Sequence, residues 1–290
     1  DFTTNAKPDE IQALFPKTVY NNTYGTVIIP QQEDGTTMLY EVTPFRKESA
    51  YSDFRHPEVV TWADTIEQDL VRRDFTMNAI AYDGHRMIDI TRGIDDLGKK
   101  TIRAVGDPGK RFQEDALRLL RAVRFCVQLG FTIEKKTYAA LVENAALLSH
   151  VSWERIRDEL MKILSSPAPA DGIMTLKETK LLDYILPELV ACFAVDQVSP
   201  ERHHIDDVGT HSVKSLAACH NPDPIVRLAT LLHDIGKVDT YAKNPETGLI
   251  TFFDHEHVGA SQVEKIAERL RLPKKDKERL VLLVKNHMFT

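Results

Sequence analysis

The residue types best suited to recognising a nucleotide lie together in one basic run, from Arg111 to Phe125. The run holds four arginines, at positions 111, 118, 121 and 124, and no lysine. Asp115 and Arg118 are three residues apart, which makes them neighbours on one face if the run is a single helix. Such a pair offers acceptors and donors side by side, as pairing with the Watson–Crick edge of a base requires, and further arginines can hold a triphosphate. The alternative is a surface helix with ordinary ion pairs.

A second polar segment, residues 69–81, contains Arg72, Arg73, Asp74 and Asn78 among apolar residues. Arginine offers a planar fork that matches phosphate, and Asp or Asn can bond ribose hydroxyls. The segment therefore fits a phosphate or sugar clamp, and its alternative is a charged turn before a buried strand.

Two acids and several histidines are the remaining candidates. Glu41 lies in a β-type run, so Tyr40 and Val42 should face one side of a sheet and Glu41 the other, where a lone acid is typically solvated. His233 and Asp234 are adjacent at the end of an apolar helical pattern. Imidazole and carboxylate suit divalent metals.

The elements that must position these residues change character along the chain. Up to about residue 105, short β-type runs alternate with turns, and Asp34-Gly35 and Asp83-Gly84 predict two hairpins, 26–43 and 79–90. Residues 8–15 predict a short helix. From residue 106 onward the pattern is helical, with one helix predicted over 111–129 and another from Ser152 to Leu164.

Composition excludes several classes of protein. The chain has 290 residues, which suggests about two domains. Its 37 basic and 43 acidic residues give a net charge of −6, so nucleic-acid contacts must come from a local patch. Three dispersed cysteines fit neither a disulfide framework nor a cysteine zinc site. No apolar run approaches the ~18 residues needed to cross a bilayer, and we expect a cytoplasmic location.

In order along the first half, these motifs resemble the class II template-independent nucleotidyltransferases, the tRNA CCA-adding enzymes and bacterial poly(A) polymerases. Six segments carry the resemblance, across roughly 160 residues. They are Asp1-Phe-Thr-Thr-Asn-Ala6 (the end of a DxD strand), Gly25-Thr-Val27 (an HGTV loop), Glu41-Val-Thr-Pro-Phe-Arg46 (ExTTFR), Arg72-Arg-Asp-Phe-Thr-Met-Asn-Ala79 (RRDFTxNA), Glu114-Asp-Ala-Leu-Arg118 (EDxxR) and Glu154-Arg-Ile-Arg-Asp-Glu159 (the neck segment).

The resemblance assigns roles to the candidate residues. It implies that Asp1 and Glu41 are catalytic carboxylates that hold Mg²⁺. Arg73 and Asp74 would contact ribose and phosphates. The remaining nucleotide-binding residues would come from the basic run: Asp115 and Arg118 pairing with the incoming CTP or ATP as a protein template, and Arg121 and Arg124 completing the pocket.

The resemblance also sets expectations about the ends and the loops of the head. The family's GG-x-x-R-D phosphate loop and first DxD acid should precede Asp1, so we expect the head to be N-terminally incomplete. Tyr24 replaces the usual histidine and Pro44 one of the usual threonines, changes that we expect to affect loop motion.

The second half resembles the HD phosphohydrolase superfamily. Leu231-Leu-His-Asp-Ile-Gly-Lys237 and the earlier His211 carry the resemblance, together with the flanking runs 207–212, 255–260 and 284–288. It implies a metal site at His211, His233 and Asp234, holding Mg²⁺ or a transition metal, and phosphatase or cyclic phosphodiesterase activity. A further Asp would follow residue 290, so we expect this domain to be C-terminally incomplete. His255, His257 and His287 are candidate ligands of a second metal.

Together these expectations give an α/β nucleotidyltransferase head with a mixed sheet, followed by an all-α neck and an all-α HD domain. The expected bounds are 1–105 for the head, 106–165 for the neck, 166–200 for a helical body and 201–290 for the HD domain. The predicted function is addition of CMP and AMP to tRNA, whose binding would use a basic group: Lys99, Lys100, Arg103, Lys110 and Arg111. Alternatives are a poly(A) polymerase, a CC-only or A-only adding enzyme, an HD phosphohydrolase with an inactive head, and an inactive RNA-binding module.

Overall fold

The computed structural model describes residues 2–15, 17–21, 25–51, 57–197 and 206–288. The chain divides into two compact units, Asp1–Asp115 and Ala116–Thr290. The expected head boundary at residue 105 falls inside the first unit, because helix 108–114 belongs with the head.

Unit 1 is built on a mixed four-stranded sheet, as the sequence predicts. The strand order is β1-β4-β3-β2, with β1 parallel to β4 and the other neighbours antiparallel. Tyr40 and Val42 pack on the core cluster of Ile11, Val27 and Ile29, whereas Glu41 is exposed, so the predicted facing is confirmed. The strands of the sheet are β1 (Phe2–Thr4), β2 (Val19–Asn21), β3 (Thr26–Glu33) and β4 (Thr36–Pro44).

The turn between β3 and β4 has the geometry that its sequence predicts. Asp34 and Gly35 both have positive φ, 47° and 80°, as the two central residues of a type I′ hairpin turn require. This turn sets the register in which Ile28 lies opposite Glu41. The predicted hairpin is thus confirmed, and it positions Glu41.

The rest of unit 1 consists of short elements. The helix predicted over 8–15 and the second hairpin are confirmed, although the paired part of that hairpin is only two residues long on each side. The strands are β5 (Arg46–Tyr51), β6 (Pro57–Trp62), β7 (Ala81–Tyr82), β8 (Met87–Ile88) and β9 (Thr101–Ile102). The helices are α1 (Pro8–Leu14), α2 (Ile66–Leu70), a 3₁₀ turn (Thr76–Asn78), α3 (Gly93–Gly98) and α4 (Pro108–Glu114).

Unit 2 is mainly helical, and short strands are its only departure from the predicted all-α architecture within the described residues. Helix α7 (Trp153–Leu164) begins directly after Ser152, as predicted, although the Ser152 side chain makes no capping hydrogen bond. The strands are β10 (Thr132–Ile133), β11 (Ala242–Lys243) and β12 (Ile250–Thr251), the last two forming an antiparallel pair. The helices are α5 (Leu117–Leu129), α6 (Lys135–Glu143), a 3₁₀ segment (Ala145–His150), α7 (Trp153–Leu164), α8 (Pro169–Glu178), α9 (Leu182–Ile185), α10 (Pro187–Cys192), α11 (Val208–Ala218), α12 (Pro224–Leu232), α13 (Lys237–Thr240), α14 (His255–Arg269) and α15 (Lys274–Lys285).

The prediction of a single helix over 111–129 is wrong. Asp115 has extended backbone angles, φ −143° and ψ 105°, which end α4 and separate it from α5. Asp107 caps α4 by accepting a hydrogen bond from the Lys110 N–H, and Pro108 occupies the first turn. The spacing of the apolar residues does not reveal this break, because an interruption of two residues shifts their helical period too little to be seen.

Helix lengths bear on membrane insertion. In the described residues, no helix combines the length and the apolar character needed to cross a bilayer.

Candidate functional site

Glu41 lies near the end of β4, on the sheet face opposite the core. The parallel register pairs Phe2 with Val42 and Thr3 with Thr43, and the Thr3 hydroxyl donates to the Thr43 carbonyl at 3.0 Å. Asp1, the other predicted catalytic acid, and Tyr24 lie outside the described residues. An exposed carboxylate is an oxygen ligand of the kind Mg²⁺ prefers, so Glu41 fits the predicted metal role.

The structure brings the predicted clamp residues together. Arg73 donates through Nη1 to the Asn78 carbonyl at 3.1 Å, and Asn78 Nδ2 donates to Asp74 Oδ1 at 3.1 Å. Asp74 also accepts a bond from the Phe75 N–H. Because Phe75 is fully buried, the segment is anchored at its centre while the Arg73 side chain remains 31% exposed.

Backbone pairing holds this segment on a second strand-like stretch, residues 103–105. The Thr76 N–H donates to the Arg103 carbonyl at 2.9 Å, and the Val105 N–H donates to the Asp74 carbonyl at 3.0 Å. Leu70, Ala79 and Val105 form the core beneath it. The clamp is therefore held in the head by backbone pairing and by this core.

Sequence reasoning missed Asp69, which organises the two arginines. Its carboxylate is fully buried and accepts hydrogen bonds from both Arg72 and Arg73. The sequence spacing could have predicted these contacts. Arg72 and Arg73 follow Asp69 by three and four residues, a spacing that brings side chains together on a helical turn.

The arginines of the basic run occupy different environments. Because Asp115 ends α4 and Arg118 lies in the first turn of α5, the expectation that they share one helix face is wrong. Asp115 is half-buried and Arg118 is buried. Arg121 is half-buried, with its guanidinium carbon 5.2 Å from the centre of the Phe125 ring.

Arg124 pairs with the neck residue Glu159 in the interior of unit 2. Its Nε lies 3.2 Å from Glu159 Oε2 and its Nη1 3.3 Å from Oε1, and both side chains are buried. Its guanidinium carbon also lies 4.1 Å from the centre of the Phe125 ring. The structure therefore pairs Arg124 with Glu159, a contact that is separate from its predicted role in nucleotide binding.

The five residues predicted to bind RNA differ in how exposed their side chains are. Lys99, Lys100 and Lys110 are exposed, as a phosphate contact requires. Arg103 pairs with the buried Asp96 at 3.0 Å. Arg111 is directed inward: it donates to the carbonyls of Arg72 and Val105 and pairs with Glu114, and its side chain is 13% exposed.

The predicted HD residues converge on one buried carboxylate, Asp234. On one side, Oδ2 lies 3.1 Å from His233 Nε2, 3.6 Å from His211 Nε2 and 2.7 Å from Lys237 Nζ. On the other side, Oδ1 lies 3.3 Å from His255 Nε2 and 3.5 Å from His287 Nε2. Two groups suited to holding a metal ion thus share Asp234.

His257, the third candidate for a second metal, is not in this cluster. Its side chain is largely exposed and lies beside Glu256 at 3.9 Å. One turn of helix α14 therefore sends His255 inward and His257 outward.

Backbone carbonyls fix the orientation of three of these rings. Nδ1 of His233, His255 and His287 lies 2.7–2.8 Å from the carbonyl three residues earlier in each case. A carbonyl can only accept, so Nδ1 carries a proton and Nε2 faces Asp234, where it offers a lone pair to a metal ion in the neutral ring or donates a hydrogen bond to the carboxylate in the charged ring. Carbonyls that orient ligand histidines in this way are common at metal sites.

The facing nitrogens need a positive charge between them. His255 Nε2 and His287 Nε2 are 3.2 Å apart, and two lone pairs at that distance repel unless a proton or a metal ion lies between them. Burial by itself lowers the pKa of His287, but its hydrogen bond to Asp234 outweighs burial and raises that pKa above its ordinary value. Burial likewise acts to raise the pKa of Asp234, and bonds from His233, His255 and His287 instead hold it far below its ordinary value. The donor set, imidazole and carboxylate, fits a divalent transition metal.

Close backbone contact makes the cluster possible. A Cβ on Gly236 would lie 2.1 Å from the His255 carbonyl oxygen and 2.6 Å from the Gly259 nitrogen. Only glycine allows helix α14 to approach the His233-Asp234 segment closely enough to bring His255 to Asp234.

Three family models match the chain in order along its length. They are the "Poly A polymerase head domain" over residues 1–103, the "Probable RNA and SrmB- binding site of polymerase A" over residues 130–193, and the "HD domain" over residues 208–290. Members of these nucleotidyltransferase and HD families generally use divalent metals.

Curated relatives match part of the chain strongly. A CCA-adding enzyme of Geobacillus thermodenitrificans is 47% identical over 187 residues, which cover 64% of this chain and 45% of the relative. A CCA-adding enzyme of Levilactobacillus brevis is 48% identical over 187 residues, which cover 63% of this chain and 46% of the relative. The chain thus spans somewhat less than half the length of these relatives.

A solved structure matches nearly the whole chain. The Bacillus stearothermophilus CCA-adding enzyme in complex with CTP has a TM-score of 0.55 and is 26% identical, and the match covers 98% of this chain and 82% of that one. The mixed sheet and the helical region after it are thus shared with a solved enzyme.

Proposed function

Because the chain belongs to the family of CCA-adding enzymes and poly(A) polymerases and carries a C-terminal HD domain, we propose that it adds CMP and AMP to the 3′ end of tRNA. CTP and ATP are the donors, pyrophosphate leaves, and no nucleic-acid template is needed. The observation that carries the proposal is the pair of guanidiniums, Arg72 and Arg73, held by one buried carboxylate in the same head as Glu41.

The chemistry in the head is positioning and charge neutralisation. Glu41 and Asp1 are the carboxylates proposed to hold Mg²⁺, which when bound neutralises the triphosphate and activates the primer hydroxyl. Val42, which directly follows Glu41 on β4, is paired with Phe2 of β1.

The clamp orients the nucleotide in this proposal. Arg73 presents N–H groups to phosphate, and Asp74 and Asn78 lie close enough to each other to bond neighbouring ribose hydroxyls. The mutual bond between Asn78 and Asp74 supports this role, because it fixes both side chains before the substrate arrives.

Asp115 and Arg118 select the base in this proposal, with Arg121 beside them in the chain. Asp115 lies in the extended link between α4 and α5, and Arg118 lies in the first turn of α5. For tRNA, the exposed Lys99, Lys100 and Lys110 are the favoured phosphate contacts.

The test uses tRNAs that end in -N, -NC and -NCC, incubated with CTP and ATP and resolved at single-nucleotide length. The proposal expects all three to converge on one product ending in CCA. Long A-tails on any RNA identify a poly(A) polymerase instead, and products that stop after CC, or that form only from the -NCC substrate, identify a CC-only or an A-only enzyme.

For the HD domain we propose metal-dependent phosphohydrolase activity at the cluster around Asp234. The convergence of four imidazoles on one carboxylate supports it. His233→Ala should abolish release of phosphate from nucleotide substrates and leave nucleotide addition intact, and the exposed His257→Ala is the matched control. Phosphate release by the wild-type chain without any CTP incorporation would favour the alternative of an HD enzyme with an inactive head.

A further inference from the structure

Asp69 is fully buried beside the clamp, and its effect on the rate of nucleotidyl transfer goes beyond the proposed function. Its two oxygens serve different partners. Oδ1 accepts from Arg72 Nε at 3.0 Å, Arg72 Nη2 at 2.6 Å and the Arg46 backbone N–H at 3.3 Å. Oδ2 accepts from Arg73 Nη2 at 3.2 Å and Nε at 3.4 Å.

This geometry sets the planes of both guanidiniums. A planar fork that gives Nε and one terminal nitrogen to a carboxylate can no longer rotate about its last torsion. Arg73 is further held by its bond to the Asn78 carbonyl. Among the described residues, these bonds leave Arg73 one N–H on each terminal nitrogen for a ligand.

Asp69 also links the clamp to the strand that carries the proposed catalytic acid. Arg46 is the first residue of β5 and follows β4, the strand of Glu41, with one residue between them. The bond from the Arg46 N–H to Asp69 therefore ties the clamp to the chain segment that directly follows the strand of Glu41. A phosphate held by the clamp and a metal held by the acid must be placed to within a fraction of an ångström of each other.

The charge of Asp69 distinguishes two roles of the clamp, positioning the triphosphate and simply attracting it. Asp69 carries one negative charge between two positive ones, so removing its charge raises the local positive charge that a triphosphate meets. If the clamp acted only as a charge, Asp69→Asn would strengthen nucleotide binding. An asparagine, however, has a single acceptor oxygen, and its NH₂ group repels whichever guanidinium it faces.

We propose that Asp69 is a positioning residue for nucleotidyl transfer, holding Arg72 and Arg73 in the orientation that the triphosphate needs and in register with Glu41. This inference rests on the proposed transferase function.

The kinetic test is Asp69→Asn, measured with tRNA ending in -NC and varied CTP. We expect kcat to fall by roughly tenfold to a hundredfold, the scale of loss that follows small misplacement of a substrate, with KM for CTP unchanged or lower. A raised KM with normal kcat would assign Asp69 to ground-state binding and overturn the proposal. Normal kcat and KM with a lower melting temperature would assign it to stability alone and would overturn it equally.

Two further variants protect the test against misfolding. Asp69→Glu keeps the charge but lengthens the side chain by one methylene, so it should fold and still lose turnover. Glu188→Gln is the matched control, because Glu188 accepts hydrogen bonds from an arginine, Arg269, on both of its oxygens and lies in unit 2, outside the clamp. It should lower the melting temperature and keep turnover within about threefold, the scatter expected outside an active site.

A double-mutant cycle tests whether Asp69 acts through Arg73. Arg73→Lys keeps the charge and loses the fork. If the two act as one unit, the double variant Asp69→Asn with Arg73→Lys is no slower than the slower single variant. Multiplied losses would show independent roles and contradict the proposal.

A spectroscopic measurement separates this inference from the transferase proposal. The Nε–H signals of Arg72 and Arg73 in ¹⁵N-labelled wild-type chain should be resolved and protected from exchange with water, and Asp69→Asn should broaden or remove both. Unchanged signals would overturn the positioning role even if the chain is active. If the signals are lost as expected but the wild-type chain incorporates no CTP, it is the transferase proposal that fails.

Discussion

Removing the carboxylate of Glu159 should destabilise unit 2 by an amount that the geometry allows us to bracket. Glu159 and Arg124 are both less than one-tenth exposed and make two contacts, at 3.2 and 3.3 Å. In Glu159→Ala the buried guanidinium loses this carboxylate, and breaking a buried pair by removing one member costs about 3–5 kcal/mol. For a unit of this size each kcal/mol lowers Tm by roughly 2–4 °C, so we expect a drop of roughly 6–20 °C.

Differential scanning calorimetry of the full chain measures this drop directly. Glu154→Ala is the matched control, because Glu154 lies on the same helix but is largely exposed, 4.0 Å from Arg271, and exposed pairs contribute at most about 1 kcal/mol. The double variant Arg124→Leu with Glu159→Leu removes both charges and should recover most of the stability. A Tm for Glu159→Ala equal to that of Glu154→Ala would refute the reasoning.

Three other changes probe the two proposed centres. Glu41→Ala should reduce nucleotide transfer by at least about a hundredfold while the Kd for CTP, measured by calorimetry, changes little, because the acid acts on the reacting groups; an active variant would contradict its metal role. Asp115→Ala or Arg118→Ala should relax the choice of CTP and ATP over GTP and UTP in incorporation assays, and unchanged selectivity would remove the protein-template role. In EDTA-treated protein, the pKa of Asp234 is lowered, so the ionised carboxylate stabilises the fold above about pH 4, and this stabilisation is lost as pH falls further. The pKa of His287 is raised, so the protonated ring stabilises the fold below about pH 6.5, and this stabilisation is lost as pH rises. Thermal unfolding across pH should therefore show a loss of stability on the alkaline side that added Mn²⁺ reverses; a loss that Mn²⁺ leaves unchanged would argue against a metal at this cluster.

The sequence predicts the local structure of the head well where turn chemistry determines it. Asp34-Gly35 predicts the β3–β4 hairpin because few residue pairs adopt positive φ twice in succession, and the structure has that turn. The facing of Glu41 follows from strand alternation once that turn sets the register. The RRDFTxNA residues cluster because they are close in the chain.

What the sequence does not predict depends on contacts between distant residues. His255 and His287 reach Asp234 only because Gly236 lets α14 approach, and that contact has no local signature. The break at Asp115 is invisible to apolar periodicity, which continues from α4 into α5. The inward direction of Arg111 and the pairing of Arg124 with Glu159 likewise depend on tertiary contacts, which the sequence does not show.

Extension of a defined tRNA tests the central claim most directly. With tRNA ending in -N and both CTP and ATP present, the wild-type chain should add C, C and A and then stop, and Glu41→Ala should add nothing. Unextended tRNA from the folded wild-type chain, or an A-tail of indefinite length, would contradict the assignment of the head to CCA addition.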